Sequence, residues 1–576
     1  MTRGRRVALL AATVAVLAAG CSVSGGTGKP PSVPPGATYG GVLRVGIAAP
    51  GGIDPIDAYE PNGELVSETM CDTLLALDPV TGQLQGAIAS SWEQQGDFFT
   101  IKLRSGVTFS NGRRVRTSDI NGSLEDLVAP DNASYVADYA LDLLGARTAE
   151  SATDALLGTG VKHTTIASRV GHSAVQVESL GPAGGTLRAF AEPAMAPVSQ
   201  VAYTADPTGF ADAPVCVGPY ALATPYVPGD KLIKLVRYPG YYAKNVAYTG
   251  GGKGYPDEID FSIYPTDAAA LTAYLHGQVD VVRVPDDQLS RVTGSALGDV
   301  VYGPATSAEY LGLPDGQDGP LADRNVRIAL SEALDRTLLA RMIFGTSAVP
   351  ANGFLPPALS IAAGPSLGGR TAKAAPLQTC GALTPATPDL SAARAALAKA
   401  TTPLTGTITL TVNDDAPYPA MAREVAREWG ALGLDVNVVT MPWDAYLDEA
   451  TNGGLTSAFR IRWSTNATAP IAVYNDQESY LAPLLSSGAT LAGNWAHWND
   501  NDFDFDLISD AAGVDNVQQR GIAFASLAKL ACEQMPIIPA VFDRPAYLIR
   551  SETVGSARAV PIGRDGLVLL RELYLK

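Results

Sequence analysis

Residues 84–120 carry the reading that decides the fold: Ala87-Ile-Ala-Ser-Ser-Trp92, then Phe98-Phe-Thr-Ile-Lys-Leu-Arg104, then Ser105-Gly106 and Val107-Thr-Phe-Ser-Asn-Gly112, then Ser118-Asp119-Ile120. Phe98–Arg104 is bounded by turn residues and spans the length of a strand, Ser105-Gly106 is a turn, and Asp119 opens a helix. Upstream, Val42–Ala48 reads as a short strand that Gly51-Gly52-Ile53-Asp54-Pro55 turns into a loop. Leu65–Leu77 has helical spacing through Val66, Met70, Leu74 and Leu77, and Asp78–Gly82 is a turn.

The chain has 576 residues, more than one hydrophobic core usually serves, so two or more domains are expected. With 46% hydrophobic and 17% charged residues it has the composition of a globular protein. Its formal charge is −17, and setting aside residues 1–20 with Arg3, Arg5 and Arg6 makes it −20. An acidic body argues against nucleic acid or anionic lipid as partners, because phosphate binding relies on clustered Lys and Arg.

The first residues read as an export signal. Met1–Arg6 is basic, Val7–Ala19 is apolar but shorter than a spanning helix, and Ala18-Ala19-Gly20-Cys21 follows at once. This resembles a bacterial lipobox, which implies a signal peptide at 1–20 and lipidation of Cys21. Residues 21–37 are Gly, Ser and Pro-rich and read as a flexible tether. Exported protein held by lipid at the outer face of the cell membrane is the expected location. Arg5-Arg6 leaves the export route open between Sec and twin-arginine.

The order of motifs around the opening stretch is similar to the extracytoplasmic peptide/nickel-type solute-binding proteins of ABC importers, family 5, the oligopeptide- and dipeptide-binding lipoproteins. The residues that carry the resemblance are Asp54-Pro55, Leu84…Trp92, Phe99–Phe109, Asn111-Gly112 and Ser118–Ile120. Val217-Gly-Pro-Tyr220, Arg237-Tyr-Pro-Gly-Tyr-Tyr242, His276-Gly-Gln-Val-Asp280, Asp323–Arg336 and Pro536-Ile-Ile-Pro539 extend it over most of the chain. It implies an α/β, two-lobed periplasmic-binding-protein-like fold of class II, cluster C type. Lobe I is expected at 38–303, with an inserted subdomain near 60–214. Lobe II is expected at 304–540, and residues 541–576 return to lobe I. Asp323 should cap a single helix through Asp335-Arg336 that ends before Gly345, and Asp389 should cap a helix to Ala400. Ile408–Val412, Tyr418–Leu432 and Leu434–Val439 should form a strand–helix–strand unit, and Val517–Glu533 a helix. The four remaining cysteines allow three pairings. Cys71 with Cys216 and Cys380 with Cys532 keep each pair within one part of that fold, with free buried thiols as the alternative.

The candidate ligand strand is Phe459-Arg-Ile-Arg-Trp-Ser-Thr-Asn-Ala-Thr-Ala-Pro470. Phe459, Ile461 and Trp463 alternate with Arg460 and Arg462, and a polar loop follows, ended by Pro470. The bland alternative is an edge strand with solvated arginines. In the oligopeptide-binding members the strand is followed by Trp-x-x-Asp, whose acid pairs with the peptide α-ammonium. Here Trp463 is present and Asn466 stands where that Asp would be, so a carbonyl replaces a countercharge. Arg460 falls where some members place an arginine for a ligand carboxylate, a role its planar fork suits. Across the cleft, the loop Ala58-Tyr59-Glu60-Pro61 brings Tyr59 and Glu60 as further contacts.

Catalytic and metal motifs are missing from the string. The four histidines, His163, His172, His276 and His497, show no zinc spacing. Asp500-Asn-Asp502-Phe-Asp504-Phe-Asp506 begins like a calcium loop, but Phe505 and Ala511 stand at the Gly and Glu positions, so it reads as a turn into a helix. No nucleophile elbow, phosphate loop or His-Glu-x-x-His occurs. The expectation is therefore a non-enzymatic monomer without cofactor or metal. It captures a small, peptide-like solute and passes it to a permease served by ATPase subunits. A non-peptide solute (anionic metabolite, sugar or metal chelate) or a sensor lipoprotein is the alternative.

Overall fold

The computed structural model describes residues 23–24, 37–58, 60–78, 82, 84–95, 98–129, 167–169, 173–178, 186–245, 254–293, 299–314, 320–359, 364–365, 371–372, 377–402, 406–464, 477–487, 494–506, 511, 517–556 and 561–576. Three sheets organise them. A seven-stranded sheet runs in the order Asp299–Tyr302, Ala546–Ile549, Val281–Arg283, Val42–Ala48, Glu258–Tyr264, Leu232–Arg237, Tyr220–Leu222. A six-stranded sheet runs Val349–Pro350, Ile537–Asp543, Ser307–Gly312, Ala458–Ser464, Thr407–Asn413, Asp435–Met441. A five-stranded antiparallel sheet has four of its strands in the stretch expected as the insertion, with Ala89–Gln95, Phe98–Leu103 and Ala174–Glu178 at its centre.

Val42–Ala48 shows how lobe I is built. Leu43, Val45 and Ile47 enter one core, while Gly46 on the other face lets the Asp267–Leu275 helix approach, since a Cβ there would meet Ala270 of that helix at 3.4 Å and Val279 beyond it at 3.1 Å. That helix ends at His276, and Gly277 takes φ +76, the left-handed backbone that favours glycine. The turn delivers Asp280, 2% exposed, to Arg44, with Nε–Oδ2 at 2.8 Å and Nη2–Oδ1 at 2.6 Å.

The inserted part begins later than residue 60. The Pro61–Met70 helix, capped by Glu60, buries Leu65, Val66 and Met70 in the core of lobe I. It stops at Cys71, so Leu74 and Leu77 do not continue a helix: Leu77 lies in a hairpin of Leu75–Leu77 with Leu84–Gly86, and Leu74 precedes it, its carbonyl accepting from Ala87 N and Ala89 N. The neck of the insertion is Cys71–Thr73 against Cys216–Gly218. There a disulfide joins Cys71 to Cys216 with Cα atoms 5.3 Å apart, and Asp72 N donates to Val217 O at 2.5 Å. Val23–Ser24, within the stretch read as tether, pairs with Ser91–Trp92 at the open edge of the inserted sheet. Such an edge offers unpaired backbone groups to any nearby chain. Cys21 and residues 25–36 lie outside the described residues.

In lobe II, Thr407–Asn413, Tyr418–Gly430 and Asp435–Met441 form the parallel strand–helix–strand unit. The expected helix from Asp323 is two helices. Arg324–Glu332 is capped by Asp323, and Arg336–Phe344 is capped by Asp335. Arg336, fully buried, donates to the carbonyls of Pro539, Ser331 and Pro385. Burial pushes its guanidinium down to about 9. A second disulfide, Cys380–Cys532, ties the turn at Gly381–Leu383 to the Val517–Gln534 helix.

The chain passes between the two large sheets twice, at 303–306 and at 544–545. The two passages are bonded to each other, Gly303 N to Pro545 O at 2.9 Å and Thr306 N to Asp543 O at 3.1 Å. The return falls a few residues beyond the expected 540/541 boundary because Ile537–Asp543 pairs with Ser307–Gly312 to its end.

Candidate binding site at the lobe junction

Ala458–Ser464 is an internal strand. It pairs antiparallel with Ser307–Gly312 and parallel with Thr407–Asn413, which overturns the edge-strand alternative. Phe459 and Ile461 pack in the lobe II core, and the Phe459 ring lies over Gly312, where a Cβ would come within 2.4 Å of it. Alternation then sends Arg460 and Arg462 to the opposite face.

Both arginines meet Glu309, which sits opposite Arg462 in the ladder and is 1% exposed. Arg460 Nε donates to Glu309 Oε2 at 2.8 Å, Nη2 to Oε1 at 3.0 Å, and Nη1 to Asn413 Oδ1 at 2.9 Å. Its Cζ stands 3.4 Å from the centre of the Tyr418 ring. Burial would lower the Arg460 pKa, and the Glu309 charge, the Tyr418 hydroxyl and the hydrogen bonds to Glu309 together outweigh it, leaving it raised. A bidentate pair of this kind is satisfied within the protein. Arg460, expected as an open anchor for a solute anion, is held as an internal cation of lobe II.

Arg462 is the more accessible of the two, its side chain 25% exposed. Its Nη2 donates to Asp543 Oδ2 at 3.0 Å, and its Nε lies 3.8 Å from Glu309 Oε1. Asp543 is the last residue of its strand before the second passage and also accepts from Ser307 Oγ at 3.4 Å and Ser347 Oγ at 3.3 Å. From lobe I, Asp286 faces this group. Burial and the Asp543 charge push its carboxyl up to about 7, against the pull of Arg462 and Arg283. A chain of charge thus runs Arg460–Glu309–Arg462–Asp543–Asp286, from the candidate ligand strand to the point where the lobes join.

Glu60 caps the Pro61–Met70 helix. Its Oε2 accepts from Asn62 N at 2.8 Å, and its Oε1 from Gly63 N at 2.5 Å and Gly51 N at 3.3 Å. Burial raises its pKa although these three N–H groups oppose the rise. Tyr59, Asn466 and the Trp463 side chain lie outside the described residues, as do His163 and His172. Asp500–Asp506 is the turn and helix expected, with Asp500 Oδ1 accepting from Asp502 N at 3.1 Å and Phe503 N at 3.0 Å. Sequence reading missed Glu309 and Asp543. The signal for Glu309 was a lone acid inside an otherwise apolar strand, where a buried charge requires a partner.

The comparisons with known proteins agree with this architecture. The profile of the bacterial extracellular solute-binding proteins, family 5 Middle, matches residues 83–480. The chain is 25% identical over 468 residues to the periplasmic murein peptide-binding protein MppA of Escherichia coli K12, covering 80% of this chain and 79% of that one. It is 25% identical over 540 residues to the probable deoxycholate-binding periplasmic protein YgiS of the same organism, covering 92% of each. Among solved structures it is similar to the unliganded open form of the MppA murein tripeptide-binding protein, with a TM-score of 0.75 at 22% identity, covering 94% of this chain and 99% of that one. It is also similar to HbpA2 of Haemophilus parasuis, with a TM-score of 0.72 at 19% identity, covering 93% and 100%.

Proposed function

The chain belongs to the bacterial extracellular solute-binding proteins of family 5, and on that premise we propose that it captures a peptide or peptide-like solute between its lobes. Delivery of the solute to a membrane permease of an ABC importer follows from this reading, with Cys21 as the lipid attachment that keeps the protein at the membrane surface. Capture of this kind needs no covalent chemistry, only a difference in solute affinity between open and closed arrangements.

The observation that carries the reading is the position of the charge chain. It starts on the strand expected to line the cleft and ends at Asp543 and Asp286, beside the doubled passage between lobes. A solute that engages Arg462 alters the balance at the hinge. Tyr59, Glu60, Trp463 and Asn466 are the other proposed contacts, and Arg460 holds the strand in place through Glu309.

Asn466 favours a second reading, a solute without a free α-ammonium, and the relative named for deoxycholate binding supports it. Mass spectrometry of whatever co-purifies with the full chain separates the two. Peptides with free amino termini support the first. Blocked or non-peptide compounds support the second, and Asn466→Asp should then shift preference toward free peptides by about tenfold or more, as expected for a charge-assisted contact.

A further inference from the structure

In the inserted part, away from the lobe junction, a groove of about 740 Å³ is lined by three arginines, Arg104, Arg114 and Arg116. That volume falls within the range of small-molecule sites, roughly 300–1,000 Å³. The sequence builds the basic wall by a tight return of the chain. Asn111-Gly112 makes the turn, with Gly112 at φ +83 and Arg113 N donating to Asn111 Oδ1 at 3.0 Å. Phe109 N then donates to Arg113 O at 2.9 Å, and Val115 N to Val107 O at 3.1 Å. On extended backbone, residues two apart share a side, so Arg114 and Arg116 stand together while Val115 packs against the core of the inserted part.

Among the described residues, none of the three forms an ion pair. Arg104 is fixed by carbonyls, its Nε donating to Ala87 O at 2.7 Å and its Nη2 to Gly86 O at 3.0 Å. Arg114 and Arg116 are exposed. Asp119, the acid in the first turn of the Thr117–Val128 helix, is fully buried and accepts from Arg113 Nη1 at 2.7 Å, Arg116 N at 2.8 Å and Gln200 N at 3.3 Å. No Asp or Glu lines the groove among the described residues, although the chain holds 58 of them against 41 Lys and Arg. Screening limits the reach of the remaining body charge to about 8 Å at physiological ionic strength, so the three guanidinium groups set the local potential.

We propose that this groove is a second binding site, for a phosphate monoester. Planar guanidinium forks match phosphate oxygens two at a time, and the hydroxyls of Ser105 and Ser118 line the same groove as further donors. The count of charges selects the class. Three cations are poorly matched by a monocarboxylate, whereas a phosphate monoester carries roughly −1.5 to −2 at neutral pH and offers three acceptor oxygens. Ile88, Leu103 and Val107 in the same lining present apolar surface to the carbon skeleton of the ester. Soluble sugar or glycerol phosphates and the headgroup of phosphatidic acid share this chemistry. The groove is separate from the solute contacts proposed at the lobe junction, so neither reading depends on the other.

The test is calorimetric titration of the full chain with glycerol 3-phosphate at pH 7, with sodium acetate and glycerol as controls. Saturable heat is expected with glycerol 3-phosphate alone, weakening as salt is added and as pH falls below about 6, where the ester takes up a proton. Arg114→Glu with Arg116→Glu should weaken binding at least tenfold, and Arg114→Gln with Arg116→Gln serves in its place if that variant does not fold. Arg341→Glu with Arg423→Glu, an equal charge change at exposed positions of lobe II, should leave the affinity unchanged. Sedimentation with phosphatidylcholine vesicles containing phosphatidic acid then separates the sources. Pelleting that glycerol 3-phosphate reverses assigns the site to a lipid headgroup, and no such pelleting assigns it to a soluble ester. Heats equal to those of acetate, undiminished binding in the folded groove variant, or an equal loss in the lobe II variant overturns the proposal.

Discussion

At the scale of single residues, the decisive contact is Arg460 with Glu309, a pair whose side chains are 5% and 2% exposed. Removing one partner strands the other charge in the interior, and Arg460→Ala should cost roughly 3–5 kcal/mol in urea-unfolding experiments. Replacing both, Arg460→Met with Glu309→Leu, should recover most of that loss, because two apolar groups leave no orphan. If the double variant is as unstable as the single one, packing rather than charge governs this position. Asp54, 3% exposed in the Asp-Pro motif, makes a pH prediction. Burial, then repulsion by Asp57, pushes its carboxyl up to about 7. The folded state therefore binds more protons than the unfolded chain between about pH 4 and pH 7, and stability from this group falls as pH rises through that window. Asp54→Asn cannot ionise, so its melting temperature should decline less from pH 5 to pH 8 and exceed wild type by a few degrees at pH 8. Equal slopes for the two proteins would assign the pH dependence elsewhere.

At the scale of elements, alternation in Phe459–Trp463 was enough to divide core from site. Phe459 and Ile461 pack inward while Arg460 and Arg462 share the other face. What alternation could not convey was the partner, because Glu309 lies on a strand about 150 residues away and is placed by ladder register alone. The same limit explains the helix expected over Leu65–Leu77. Apolar spacing of Leu74 and Leu77 matched a helix, but Cys71 leaves helical backbone, Leu74 is buried just before a hairpin and Leu77 is half-buried within it. The capping acids Asp323 and Asp389 were readable because their effect is local. The expected single helix through Asp335 failed for the same local reason, since Asp335 Oδ1 accepts from Leu338 N at 2.9 Å and starts a second one. The Cys71–Cys216 bridge, spanning 145 residues at the neck, gives the prediction at this scale. Its loss should cost about 2–5 kcal/mol by the loop-closure argument. Cys71→Ser with Cys216→Ser should make the inserted part more susceptible to limited proteolysis than lobe II. Uniform susceptibility of both would contradict the neck as the weak joint.

At the scale of the whole molecule, the two passages between lobes amount to a few residues bonded to each other, and the sheets on either side are separately cored. A solute bound between them should reduce the radius of gyration in solution scattering and raise the unfolding temperature by mass action. Cross-linking the passages, for instance through cysteines at positions 304 and 544, should weaken solute binding without unfolding either lobe. Binding with unaltered dimensions would mean that the arrangement is already closed. The two-lobed plan was legible because motif order survives where individual residues do not. The site was legible only in part, since its charges come from strands that the sequence keeps far apart.

The return of the chain to lobe I has a consequence for the order in which the protein is made. Ala546–Ile549 is the strand that lies between Val281–Arg283 and Asp299–Tyr302, hydrogen-bonded to both. A chain emerging residue by residue cannot seal that gap until residues beyond 545 have arrived, by which time all six strands of lobe II are available. Lobe I, begun first, is therefore completed last. A chain broken off near residue 543 keeps a full lobe II sheet beside a first lobe with two unsatisfied strand edges, the kind of surface that folding helpers and proteases outside the cytoplasm engage.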